Sequence, residues 1–164
     1  MKALRKIGVM AMIVCAVANV LNAQNRQDKK AAKRAAIKSA VETKKYTFIA
    51  DYMLPQRRGA IPLTETYYEV RVTPDSVISF LPYYGQAYFD VPYNPTDGGV
   101  KFTSTKFDYS VKQKKKGGWQ IIVDPKDVKY LQRMVIDIST DGYASVSVTS
   151  TNRDFISYNG YLKE

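Results

Sequence analysis

From Tyr46 to its C-terminus the chain alternates apolar and polar residues with a period of two, in short runs cut by turn residues. A β-strand sends successive side chains to opposite faces, so each run buries one face and wets the other. Tyr46, Phe48, Ala50 and Tyr52 alternate with Thr47, Ile49 and Asp51. Tyr68, Val70 and Val72 alternate with Glu69, Arg71 and Thr73. Val77 to Leu81 is the next run, and Tyr88 to Pro92 reads as a short strand. Phe107, Tyr109 and Val111 face Trp119, Ile121 and Val123 across the glycine-containing tip Lys114-Lys115-Lys116-Gly117-Gly118, which predicts a hairpin. Met134–Thr140 and Tyr143–Thr149 flank Asp141-Gly142, a two-residue hairpin signal, and Phe155–Leu162 closes the chain. Between the runs lie Pro55–Pro62 with Arg57-Arg58-Gly59, Pro74-Asp75, and the turn-rich Asn94–Gly99. Asp124-Pro125-Lys126-Asp127 predicts a short helical turn through Leu131, with Asp124 as N-cap. The expectation is a mainly β fold, a single antiparallel β-barrel or sandwich-like domain of about eight strands preceded by an N-terminal helix.

Residues 1–23 read as a signal peptide. Lys2, Arg5 and Lys6 precede an uncharged apolar run from Ile7 to Leu21, and Leu21-Asn22-Ala23 offers a cleavage site. The run is shorter than the roughly 20 residues of a membrane span. Export to the periplasm or beyond, with cleavage near Ala23, is expected. Cys15 is the only cysteine and lies in that run behind Val14, which does not suit lipidation. The mature chain would hold no disulfide, and at this length it can bury a core without one. There is no histidine, so His-based triads, Cys-His dyads and the usual zinc sites are excluded, and no cofactor is indicated.

The net charge of +10 suggests nucleic acid until its distribution is seen. Residues 24–45 carry +6 and residues 46–164 only +1. The basicity belongs to a leader that reads as a helix over 27–44, rich in Ala and Lys without Gly or Pro. Its apolar stripe, Ala32, Ala36, Ile37, Ala40 and Val41, is thin and predicts weak docking. Lys29, Lys30, Lys33, Arg34 and Lys38 would suit an anionic membrane surface or envelope polymer, or would simply be solvated. Nucleic acid is not an expected partner of an exported chain.

The central candidate is Leu81-Pro82-Tyr83-Tyr84-Gly85-Gln86-Ala87-Tyr88-Phe89. Pro82 constrains Leu81 toward extended geometry, and Gly85 offers a positive φ. Turns are usually polar, and this one is aromatic. The rings either plug one end of the β core or form a rim that stacks on a ligand. Tyr83, Tyr84, Gln86 and Tyr88, with Tyr67 and Tyr93, are the candidate ligand-binding residues.

These residues carry a likeness. With Phe107-x-Tyr109, Gly142-Tyr143-Ala144, Asn152-Arg153 and Ile156-Ser157-Tyr158-Asn159-Gly160, the Leu81–Tyr88 run resembles the domain-of-unknown-function 4251 family over about residues 30–162. The resemblance implies an exported, compact β-rich protein of Gram-negative bacteria and brings no activity with it. Relatives often carry a basic residue after the glycine, where this chain has Gln86.

Other chemistry reduces to structure. Asp137–Gly142 imitates a calcium loop, but the twelfth position is Val148 where a glutamate is needed. Asp124 and Asp127 are explained as a helix start rather than an acid/base pair. A non-enzymatic binding module of the cell envelope is therefore the leading expectation. The alternatives are a carboxylate enzyme acting on envelope glycans and a structural protein docking through its basic helix.

Overall fold

The computed structural model describes residues 26–65, 67–90, 98–115 and 117–163. The expected signal peptide with Cys15 and Ala23, the candidate Tyr93, and most of the Asn94–Gly99 turn lie outside these residues.

One helix, α1 (residues 26–42), precedes ten strands. These are β1 (Tyr46–Pro55), β2 (Ile61–Pro62), β3 (Glu69–Val72), β4 (Val77–Leu81) and β5 (Val100–Ser104). They continue with β6 (Phe107–Gln113), β7 (Trp119–Pro125), β8 (Leu131–Ile138), β9 (Tyr143–Ser150) and β10 (Ile156–Leu162). Nine strands follow one another in the antiparallel order β5-β4-β3-β1-β10-β9-β8-β7-β6, and β2 pairs with β1 off this path. The two edge strands, β5 and β6, are consecutive in the chain, so the sheet curls into a nearly closed barrel. Closure leaves little free edge for another chain to add to.

The alternation does what the sequence predicts. Val70 and Val72 point in while Glu69 and Arg71 pair outside at 2.6 Å. Phe48, Leu81, Ile121, Met134, Ile136, Val146, Ile156 and Tyr158 fill the interior. Three local expectations are corrected. Tyr52 does not share the inward face of Tyr46 and Phe48, because the β1–β10 register shifts between Ala50 and Tyr52. Asp51 is the extra residue of a β-bulge, and both Asp51 and Tyr52 face solvent. Lys126–Tyr130 forms bends rather than a helical turn. Asp124, still within β7, makes a two-pronged bond with Arg133 at 2.7 and 2.8 Å. Asp127 instead accepts from the β5–β6 turn, at 2.8 Å from the Thr105 N–H and 3.1 Å from the Lys106 N–H. The Ser104 hydroxyl, donating at 2.5 Å, and then those N–H groups hold the Asp127 carboxyl at a pKa of about 2. The β8–β9 turn also shifts by one residue. The Gly142 N–H reaches the Ser139 carbonyl at 3.3 Å, so Thr140 and Asp141 are central and Gly142 closes the turn at φ +87°.

α1 closes one end of the barrel. Ile37 and Val41 join the same buried cluster as the strands, while Ala32 and Ala36 stay exposed. The helix is thus fixed by two branched side chains near its C-terminus rather than by its alanines. Lys44 takes a left-handed conformation (φ 53°), and the Lys45 N–H returns to the Ala40 carbonyl at 2.9 Å. The Tyr109 hydroxyl donates to the Val41 carbonyl at 3.3 Å, tying this end of the helix to β6.

Candidate functional site

The tyrosine-rich stretch closes the opposite end. Leu81 is buried as the last residue of β4, and Pro82 carries the chain off the sheet. The fully buried Tyr158 of β10 donates its hydroxyl to the Pro82 carbonyl at 2.6 Å. Burial keeps that hydroxyl protonated, pushing its pKa far above the usual tyrosine range. Gly85 is not in the left-handed region that its type suggested. It is needed for space, since a Cβ there would fall 2.6 Å from the Tyr83 hydroxyl folded back over it.

Beyond Gly85 the stretch lies against the segment between β9 and β10. The Tyr88 N–H donates to the Asn152 carbonyl at 2.8 Å, and the Asp154 N–H to the Gln86 carbonyl at 2.9 Å. Ala87 and Arg153 form an isolated antiparallel bridge. Asp154 is buried and surrounded by donors: the Tyr88 hydroxyl, the Gln86 N–H at 3.3 Å and Arg57 Nε at 3.5 Å. The Tyr88 bond first, then the Gln86 N–H and Arg57, hold the Asp154 carboxyl below the ordinary carboxylate range. The same bond raises the Tyr88 hydroxyl, so donor and acceptor keep fixed roles at neutral pH. The Tyr83 hydroxyl sits 3.1 Å from the Gln86 carbonyl and 3.2 Å from that of Asp154. Arg153 lies over the Tyr83 ring at 5.0 Å and donates to the Gly98 carbonyl at 2.9 Å.

What this frame presents outward is aromatic. Tyr84 is 48% exposed, Tyr88 56% and Phe89 50%. The Arg58 guanidinium stands 5.1 Å over the Tyr84 ring. Phe89 meets Tyr130 edge-on at 5.4 Å, and Lys129, over the Tyr130 ring at 4.6 Å, pairs with Asp90 at 2.7 Å. The arrangement has an anchored floor of hydroxyls and one carboxylate, and a rim of ring faces beside two guanidinium groups. It can stack on a flat or apolar ligand and attract an acidic one. Among the described residues there is no group of three or more metal-ligating side chains.

Of the candidates read from the sequence, Tyr83, Gln86 and Tyr88 converge on Asp154, and Tyr84 shares their rim. Tyr67 stands apart, packed on Tyr68 at 4.8 Å and Phe80 at 5.9 Å. Of the leader's candidate residues, Lys29, Lys30, Lys33 and Arg34 lie on the exposed stretch 26–36, and Lys38 pairs with Glu42 at 3.7 Å. Sequence reading missed Asp154, Arg57 and Arg58, and used Asn152-Arg153 and Tyr158 only as marks of likeness. No spacing rule connects Asp154 to Tyr88, 66 residues earlier.

Fold and site together define a small antiparallel β-barrel, capped by a helix at one end and by an aromatic rim at the other. The chain belongs to the family described as Domain of unknown function (DUF4251), whose model matches residues 28–162. It is also similar to the crystal structure of a DUF4251 family protein from Bacteroides eggerthii. That similarity has 15% identity and a TM-score of 0.58, covering 81% of this chain and 90% of the other. At that identity the likeness shows the shared fold alone. No curated protein matches the chain.

Proposed function

We propose that this is an exported, non-enzymatic binding module of the cell envelope that engages its ligand or partner through the aromatic rim. The carrying observation is the contrast between a floor whose polar groups are all engaged and an aromatic surface left half-exposed above it. The Asp154 carboxylate and the hydroxyls of Tyr83, Tyr88 and Tyr158 are committed to one another and to backbone groups. Tyr84, Tyr88 and Phe89 nevertheless turn ring surface to solvent beside Arg57 and Arg58. A carboxylate locked in its ionised form is suited to holding a surface in shape and poorly suited to giving up a proton. Export rests on the charged, apolar and small-residue pattern of residues 1–23.

Native mass spectrometry tests this on mature protein purified gently from its own envelope fraction. Wild-type protein should carry added mass or a co-purifying partner. Tyr84→Ala with Phe89→Ala should lose it at an unchanged unfolding temperature. Bare wild-type protein without a partner, or a variant that keeps its ligand, would overturn the reading. Tyr83 is unsuitable for this test, because its hydroxyl and ring are part of the floor.

A second reading has its own observation. Residues 26–36 of α1 are exposed throughout and carry Arg26, Lys29, Lys30, Lys33 and Arg34. An exposed basic helix on a barrel end is suited to an anionic membrane surface. Among the described residues no helix is long and apolar enough to cross a membrane.

A further inference from the structure

We infer a second binding site, for a neutral oligosaccharide chain, on the outer face of the sheet formed by β1, β10, β9, β8 and β7. It lies toward the α1 end of the barrel, five residues along the chain from the Asp154 frame.

Register places one continuous row of side chains across five strands. Tyr52 pairs with Asn159, Asn159 with Ser145, Ser145 with Asp137, and Asp137 with Gln120. At about 4.8 Å between neighbouring strands the row is about 19 Å long. The flanking residues Tyr158, Val146, Ile136 and Ile121 are buried, so strand alternation puts the whole row outside. Tyr143 and Tyr161, paired on β9 and β10, stand beside its middle, and Tyr143 is 73% exposed.

The bulge shapes this face into a groove. It turns Asp51 and Tyr52 outward together, with Tyr52 49% exposed. Beside the bulge Gly160, the partner of Ala50, leaves bare backbone, and a Cβ there would fall 1.9 Å from the Ile49 carbonyl oxygen. The resulting cavity of about 600 Å³ is lined by Asp51, Tyr52, Asp137, Tyr143, Ser145 and Asn159 among others.

Its chemistry selects the ligand. Among the described residues, the side chains of Asp51, Ser145 and Asn159 make no hydrogen bond within the protein. They supply a carboxylate, a hydroxyl and an amide, which between them donate to and accept from ligand hydroxyls. Asp137 is neutralised by Lys114 at 2.6 Å and accepts from Gln120 at 3.1 Å. The groove therefore has no positive surplus for a polyanion. A protein interface would want a dry apolar centre, and here the centre is the polar row. A pyranose chain fits both parts, its C–H faces on tyrosine rings and its hydroxyl edges on the row. Asp51 and Asp137 lie three strand intervals apart, about 14 Å. With Asp137 already paired to Lys114, the two carboxylates are placed to hold ligand hydroxyls at separate points along the row.

The test is saturation-transfer NMR, followed by titration calorimetry, with neutral cello-, malto-, xylo-, manno- and chito-hexaoses and a neutral glycan array. Wild-type protein should bind at least one of them. Tyr143→Ala and Asn159→Ala should each weaken binding about tenfold, equivalent to about 1.4 kcal/mol. Tyr84→Ala should not affect it, and melting curves should confirm that all variants fold. No neutral glycan bound by wild type would overturn the site. Binding that survives both substitutions would also overturn it, and loss in Tyr84→Ala alone would move the glycan to the rim.

Discussion

Replacing Tyr158 by Phe removes one oxygen and nothing else from the interior. The ring stays in the core, so no cavity term arises. What is lost is a 2.6 Å hydrogen bond from a fully buried hydroxyl to the Pro82 carbonyl, the point where the aromatic stretch leaves β4. A typical hydrogen bond contributes about 1 kcal/mol net, and a buried acceptor left unsatisfied costs about 1–3 kcal/mol. Pro82 is half-buried, so water restores part of the acceptor's solvation and the expected loss is about 1–2 kcal/mol. For a domain of this size that corresponds to a fall in Tm of about 3–7 °C. Thermal unfolding followed by circular dichroism measures it, with Tyr161→Phe, exposed on the same strand, as the control that should not move. A Tyr158→Phe shift below about 1 °C would refute the anchoring of the stretch by this bond.

Other expectations follow from single contacts. Asp127 has a folded pKa of about 2, below the ordinary value near 3.9, so its stabilising contribution is complete above that ordinary value and is lost as pH falls through about 2. Asp127→Asn should flatten the fall in melting temperature between about pH 4 and 2, seen in melts across that range. Gly160→Ala would force a methyl onto the Ile49 carbonyl and should cost about 2 kcal/mol or more in urea unfolding. Ile37→Ala should cost about 2–4 kcal/mol, because α1 is tied to the core by that side chain and Val41; a loss below about 0.5 kcal/mol would mean a loosely docked helix.

The barrel is legible in the sequence because its strands are half-buried. Inside and outside are written residue by residue in Tyr68–Thr73 and Trp119–Asp124. The turn chemistry of Pro74-Asp75 and Gly117-Gly118 then fixes where strands stop. Local patterns fail where a distant group takes over. Asp124-Pro125-Lys126-Asp127 has the composition of a helix start, but the orphan N–H groups of Thr105 and Lys106 claim Asp127 from 22 and 21 residues away. The bulge at Asp51 is equally silent, because only the bare backbone of Gly160 across the ladder makes room for it. Of the candidate site, the tyrosines announce themselves by density in a turn, a place usually polar. The plug and rim readings both hold: Tyr83 plugs, Tyr84 forms rim, and Tyr88 does both, with its hydroxyl on Asp154 and its ring exposed. Asp154 stayed hidden because a single aspartate before a strand carries no local mark of burial.

The aromatic stretch is a fixed surface docked on the barrel end. Amide hydrogen exchange at residue resolution by NMR tests this most directly. The Tyr88 and Asp154 amides, bonded to the Asn152 and Gln86 carbonyls at 2.8 and 2.9 Å, should exchange as slowly as amides within β9 and β10. Exchange of those two amides at the rate of an unstructured peptide, with the strands still protected, would contradict the account.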